Sequence, residues 1–308
     1  MKIVISEFMD EAAVARLQAR FNVVYDPQLV DQPDALRAQV ADAQALIVRN
    51  RTQVRGELLD AAQALKVVGR LGVGLDNIDV AGCEGRGVQV IPATGANSRA
   101  VAEYVIGTAM MLLRGGYQSS AQVVEGKWPR NALSSGRETG GKVLGLIGFG
   151  GIGQLTACLA RGLGMNVIAF DPAIANDAPV WQARGVQPRS LDALLAEADV
   201  VSLHVPLVDG TRNLLNADRL ARMKAGAILV NTARGGIVDE AALAESLRSG
   251  HLGAAAIDVF DKEPLPAENA FHGVPNVVLT PHIAGVTLES NTRVSDMIAE
   301  RVEAALQG

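Results

Sequence analysis

Val143-Leu144-Gly145-Leu146-Ile147-Gly148-Phe149-Gly150-Gly151-Ile152-Gly153 is the stretch that decides the fold. Five apolar residues of strand character run into G-x-G-x-x-G, and Gln154 to Gly162 follow as a helix. Gly148 permits a tight turn out of the strand, Gly150 lets a pyrophosphate approach the backbone, and Gly153 lets the helix pack against the sheet. Amides near Gly151 and Ile152, at the helix start, would face the phosphates with help from the helix dipole. A second strand, Asn166–Phe170, ends in Asp171, 18 residues beyond Gly153, where a ribose-binding acid is expected. A carboxylate there repels a 2′-phosphate, and Pro172-Ala173-Ile174 supply no Arg to hold one. The pattern therefore reads as an NAD site rather than an NADP site. The plain alternative is a Gly-rich turn and an Asp that only caps a helix. Strand, loop, helix, strand and acid occurring in order outweigh it.

Outward from this motif, short β-branched runs alternate with Ala/Leu/Arg-rich amphipathic stretches, as in a mostly parallel sheet. Before it, strands are expected at Lys2–Ser6, Val23–Asp26, Leu46–Val48, Leu65–Gly69 and Val88–Ile91. Helices are expected over Asp10–Arg20 and about Pro33–Ala41. One long helix spans Asn97 to Gly116, and a polar, Gly-rich segment runs from Gln118 to Gly141. After it, strands fall near 166–170, 199–203, 227–231, 254–258 and 277–280, and a last helix covers Thr287 to Leu306. These strands are nearly continuous apolar runs, as when helices cover both faces.

The chain has 308 residues, too many for one ordinary core, so two domains are expected. A net charge of −5 argues against nucleic acid as a partner. No apolar run approaches a membrane span, and the acidic Glu7 comes too early for a signal peptide. Only Cys83 and Cys158 are present, which fits a reducing cytoplasm and neither a disulfide frame nor a metal centre.

Three downstream segments each place a polar residue past a strand. Arg234 follows Ile228-Leu229-Val230-Asn231-Thr232-Ala233, Glu263 follows Ala256-Ile257-Asp258-Val259-Phe260, and His282 follows Val278-Leu279-Thr280-Pro281. The carboxyl ends of strands in a doubly wound sheet form its ligand crevice. Oxidising a 2-hydroxy acid removes a hydride from carbon while the hydroxyl proton goes to a base, a task suited to His. A carboxylate beside that His stabilises the imidazolium, and an Arg fork clamps a substrate carboxylate better than Lys does. Each residue alone is equally a helix cap, a turn acid or a satisfied histidine. His204, at another strand end, reads as part of the cofactor-side wall, and His251 and His272 as solvated loop residues.

Taken together, the motifs resemble the D-isomer-specific 2-hydroxyacid dehydrogenases, in their phosphoglycerate dehydrogenase-like branch. They are Gly69 to Asp79, Asn97-Ser98-Arg99-Ala100-Val101-Ala102-Glu103, Gly148 to Gly153, Leu203-His204-Val205-Pro206-Leu207, Asn231 to Asp239, Asp258 to Pro264 and Pro281 to Gly285. The resemblance implies an α/β protein of two Rossmann-like, doubly wound parallel-sheet domains. Residues 1–97 plus 287–308 would form a discontinuous substrate domain and residues 98–286 the NAD-binding domain. It implies Arg234, Glu263 and His282 as the catalytic trio, with His282 as acid/base. It extends the NAD contacts from Gly148, Gly150, Gly151, Ile152, Gly153, Asp171 and His204 to Pro206, Thr232, Ala233, Arg234, Asp258, His282 and Gly285. Backbone amides of Val73 and Gly74 would help hold the substrate carboxylate beside Arg234 and His282. In relatives the long helix and the Gly-rich segment after it form the dimer interface, so the resemblance implies a homodimer. Family members often carry Thr where Val205 stands, which removes one side-chain contact to the cofactor. The sequence ends without the regulatory domains of longer relatives, so feedback by serine is not expected.

In phosphoglycerate dehydrogenases an Arg after the third strand meets the distal phosphate. Val48-Arg49-Asn50-Arg51-Thr52 matches that loop, with Arg49 equivalent and Arg51 an extra cation. The substrate is then an anionic 2-hydroxy or 2-keto acid with a second anionic group, of the 3-phosphoglycerate or 3-sulfolactate type. The opening Ile5-Ser6-Glu7-Phe8-Met9-Asp10-Glu11 is similar to that of sulfolactate dehydrogenases. Hydroxypyruvate or glyoxylate reduction is one alternative, and a non-catalytic NAD(H)-sensing protein of the same fold is another. Formate dehydrogenase chemistry is disfavoured because that group pairs its His with Gln.

Overall fold

The structure, a computed structural model, describes the backbone of residues 1–308 and every side chain except that of Gln118. The chain divides into two compact units, Met1–Asn97 with Val286–Gly308, and Ser98–Gly285.

The first unit holds five parallel strands: β1 (Lys2–Ile5), β2 (Asn22–Tyr25), β3 (Ala45–Val48), β4 (Val67–Arg70) and β5 (Gln89–Pro92). They run in the order β2-β1-β3-β4-β5. Alternate residues feed two cores. Ile3, Ile5, Ala45, Ile47 and Val67 pack with Ala13, Val14 and Leu17 of the helix Glu11–Gln18 and with Val294, Ile298 and Val302 of the helix Leu288–Gln307. Val4, Leu46, Val48 and Val68 pack with Leu36, Val40 and Leu59 on the opposite face. Burial of both faces explains why the period-two alternation is hidden in the sequence.

The second unit holds seven parallel strands: β6 (Val143–Ile147), β7 (Asn166–Phe170), β8 (Gln187–Pro188), β9 (Val200–Leu203), β10 (Ile228–Asn231), β11 (Ala254–Ile257) and β12 (Val277–Leu279). Their order, β12-β11-β10-β9-β6-β7-β8, reverses direction between β6 and β9. A crevice at the carboxyl ends of those two strands is the expected ligand position.

Three elements differ from expectation. The helix after the Gly-rich turn begins at Gly151, not Gln154, because two glycines in its first turn hide its start. The two-residue β8 is an edge strand whose Pro188 cannot donate to a ladder, so the sequence does not announce it. The segment after the long helix Ser98–Arg114 contains helical turns at Tyr117–Ser119 and Ser120–Val124.

Candidate active site

At the reversal of strand order the backbone is packed as a phosphate loop requires. Gly148 has φ +96°, and a Cβ there would lie 2.5 Å from the His204 carbonyl oxygen at the end of β9. A Cβ on Gly153 would lie 2.4 Å from the Gly148 carbonyl oxygen. Gly150 and Gly151, by contrast, have open space where a side chain would stand. Close packing below and empty space above suit a pyrophosphate lying on the amides of the helix Gly151–Gly162, where Ile152 is half-buried in the first turn. Asp171 accepts the Phe149 amide at 2.8 Å and the Ala173 amide at 2.9 Å, one on each carboxylate oxygen, which fixes it beside this loop.

The polar trio emerges from three adjacent strands. Past β10, Asn231 is buried; its Oδ1 accepts the Ala233 amide and its Nδ2 donates to the Arg234 carbonyl. That turn lies flat against the segment after β11, since a Cβ on Gly235 would fall 1.8 Å from the Phe260 carbonyl oxygen. The contact sets Arg234 beside Glu263, close enough for its charge to act on the carboxylate. Thr232 Oγ1 is buried without a hydrogen-bond partner, an unsatisfied polar atom beside this turn that a bound group could satisfy.

His282 Nδ1 lies 2.8 Å from Glu263 Oε2, and Glu263 Oε1 accepts the Phe260 amide at 3.0 Å. Burial works to raise the Glu263 carboxyl, but the His282 ring and the Phe260 amide outweigh it and hold the group below the usual carboxylate range. An ionised carboxylate can only accept, so Nδ1 carries the proton and Nε2 is left with the lone pair of a base. His282 itself has φ +57°, a left-handed backbone uncommon outside glycine. Its amide bonds to the Asp258 carbonyl at 2.8 Å.

Asp258 holds that turn. It is 1% exposed, and its carboxylate accepts the Thr280 hydroxyl at 2.6 Å and the Ile283 and Ala284 amides at 2.8 Å each. Its side chain thus holds the His282 loop in place. The Thr280 proton goes to Asp258, so the Tyr104 hydroxyl, 2.5 Å away, donates to Thr280. Sequence reasoning passed over Asn231, Thr280 and Tyr104; an Asn closing a buried strand was a readable turn signal.

His204 is held by Ser202, whose Oγ is 3.1 Å from Nε2, while Nδ1 is buried and unpartnered. Pro206 beyond it is exposed, and Gly285 closes this unit. His272 is exposed as expected, but His251 is half-buried with an enclosed Nε2, not a solvated residue. Burial pushes His204 down to about 4. An unfolded imidazole takes up its proton near 6.5, so the unfolded state binds more protons between pH 6.5 and 4, and stability falls as pH falls through that window. His204→Gln should remove this loss. Unfolding free energies from denaturant titrations at pH 7 and pH 4 should converge by roughly 2 to 3 kcal/mol relative to the parent chain.

In the first unit the expected substrate residues lie past β3 and β4. Val73 and Gly74 follow Gly72, where the Arg70 guanidinium fills the side-chain position. Arg49 is half-buried; its Nη2 donates to Asn291 Oδ1 at 2.8 Å and its guanidinium lies 5.6 Å from the Phe8 ring centroid. Burial pushes this guanidinium below its usual value, and no carboxylate pairs with it among the described residues. Arg51 differs: it is exposed and ion-paired with Asp31, so it is not the spare cation expected from the sequence.

Comparison with known proteins shows the family. A family model described as "D-isomer specific 2-hydroxyacid dehydrogenase, NAD binding domain" matches residues 106–284. The chain is 53% identical over 304 residues to (S)-sulfolactate dehydrogenase of Chromohalobacter salexigens, covering 99% of this chain and 98% of that one. It is 38% identical over 302 residues to D-3-phosphoglycerate dehydrogenase of Archaeoglobus fulgidus, covering 98% of this chain but 56% of the relative. Among solved structures, D-lactate dehydrogenase of Aquifex aeolicus complexed with NAD and lactic acid superposes with a TM-score of 0.86 at 26% identity, covering 100% of this chain and 96% of that one.

Proposed function

The chain belongs to the D-isomer-specific 2-hydroxyacid dehydrogenases and uses NAD; from that premise we propose that it interconverts 3-sulfolactate and 3-sulfopyruvate, with His282 as acid/base. The observation that carries the catalytic assignment is the His282 Nδ1 contact with Glu263, 2.8 Å long, which leaves Nε2 as the proton acceptor. Bound NAD, held by the Gly148–Gly153 loop and Asp171, would supply the hydride acceptor for the carbinol carbon. His282 Nε2 receives the hydroxyl proton as the carbonyl forms, and returns it in reduction. Glu263 holds the ring in one tautomer and stabilises the imidazolium. Arg234 grips the substrate carboxylate through its fork, which orients the carbinol carbon.

Two observations favour a sulfonate. The 53% identical relative is named for sulfolactate. Of the two arginines in the β3 loop, only Arg49 lacks a carboxylate partner, which matches one negative charge better than the nearly two of a phosphate. Arg49→Ala should raise KM for 3-sulfopyruvate about 10- to 100-fold, with a less than twofold change for pyruvate, in an NADH absorbance assay. An equal rise for both substrates would remove the second-anion reading.

We also propose a cytoplasmic homodimer. Cys83 and Cys158 are both unpaired thiols, and no helix among the described residues is long and apolar enough to cross a membrane. Past the long helix, Val124 and Trp128 are 88% and 77% exposed, and Tyr117 and Leu133 are exposed too, apolar side chains that a partner copy would cover. A Val124→Glu/Trp128→Glu double variant should sediment as a monomer while the parent sediments as a dimer.

A further inference from the structure

Glu7 is buried, 5% exposed, yet it has no cationic partner in any ion pair of the described residues. Its carboxylate instead accepts three consecutive-loop amides: Arg49 at 2.9 Å and Thr52 at 3.0 Å on Oε1, and Arg51 at 3.1 Å on Oε2. From the other side, buried Asn77 donates to the carbonyls of Arg49 and Thr52, at 3.0 and 2.7 Å. The loop after β3 is thus fixed on both its amide and its carbonyl edges by two side chains distant in sequence.

A surface turn does not need a buried carboxylate to hold it. Burying one is costly unless its oxygens are satisfied, and here the protein satisfies them with the backbone of this loop alone. What the loop carries is Arg49, half-buried, held by one acceptor and one ring face, and ion-paired to no carboxylate among the described residues, although the Glu7 charge acts on it. A guanidinium with no ion-pair partner and unspent N–H donors is a site for an anion, and its selectivity depends on where the fork points.

We propose that Glu7 and Asn77 are positioning residues for the substrate's distal anion: they clamp the β3 loop so that Arg49 is aimed before substrate arrives. The proposal rests on the second-anion reading and deepens it. It assigns selectivity between sulfonated and unsubstituted 2-keto acids to an acid and an amide that need not touch the substrate. Glu7→Gln keeps the shape but places an amide donor where the carboxylate must accept, so at least one loop amide loses its partner.

The test measures reduction of 3-sulfopyruvate and of pyruvate by NADH in the full-length chain, for the parent, Glu7→Gln, Asn77→Ser and Arg49→Ala. Glu7→Gln is expected to raise KM for 3-sulfopyruvate about tenfold, with KM for pyruvate and both kcat values within about twofold. Asn77→Ser should do the same more weakly, and carries the test if Glu7→Gln does not fold. Parallel KM changes for both substrates, or no change for either, in a folded variant would overturn the clamp. A parent that does not prefer 3-sulfopyruvate to pyruvate, with Arg49→Ala silent, would overturn the second-anion reading itself. A parent whose preference Arg49→Ala abolishes but both clamp variants keep would overturn the clamp alone.

Discussion

His282→Ala is expected to lower kcat on the order of 10³- to 10⁴-fold in both directions, while the dissociation constant for NADH changes by no more than a few-fold. The asymmetry follows from where the side chain sits. The ring bonds to Glu263, whereas the proposed cofactor cradle is Gly148, Gly150, Gly151 and Asp171, 111 to 134 residues earlier. The turn itself is held by Asp258 through backbone amides of Ile283 and Ala284, and those bonds survive loss of the imidazole. Stopped-flow turnover and fluorescence titration with NADH separate the two quantities. A large loss of NADH affinity would show that the imidazole holds the cofactor and not the proton.

Arg234→Ala should reduce kcat/KM by about 10³-fold, and Arg234→Lys by about 10²-fold, since Lys keeps the charge but not the fork. The effect should fall on every 2-keto acid alike, because the carboxylate is common to all of them. That separates it from Arg49→Ala, whose effect depends on the second anion. Loss of Arg234 also removes a charge that helps hold the Glu263 carboxyl low. A product analogue such as oxamate, titrated into the NADH complex, gives the ground-state share of the loss. If Arg234→Ala proved selective for sulfonated substrates, the roles of the two arginines would have to be exchanged.

What could be read in advance was local. The strand, glycines and acid of Val143 to Asp171 lie within one βαβ unit, and their spacing is set by the turn they form. Arg234, Glu263 and His282 were legible because each follows a buried apolar run, and parallel strands bring such ends together. The supporting bonds were not, because they join distant segments. Tyr104 and Thr280 are 176 residues apart, and Arg49 and Asn291 are 242 apart. Arg51 looked like a free cation because nothing near it in sequence announces Asp31, 20 residues earlier, as its partner. The bonds that Asp258 accepts from Thr280, Ile283 and Ala284 likewise join segments more than 20 residues apart. His251 was misplaced because a loop histidine flanked by Gly250 gives no sign that its ring is enclosed.

The helix Leu288–Gln307 supplies Val294, Ile298 and Val302 to the same core as Ile3, Ile47 and Val67, although the whole of Ser98–Gly285 is translated between them. During synthesis the inserted unit has every strand it needs while the earlier one still exposes half of an apolar sheet face on the ribosome. The newborn chain is therefore most exposed to aggregation in the interval before the helix Leu288–Gln307 emerges, which is where a chaperone would have the most to protect.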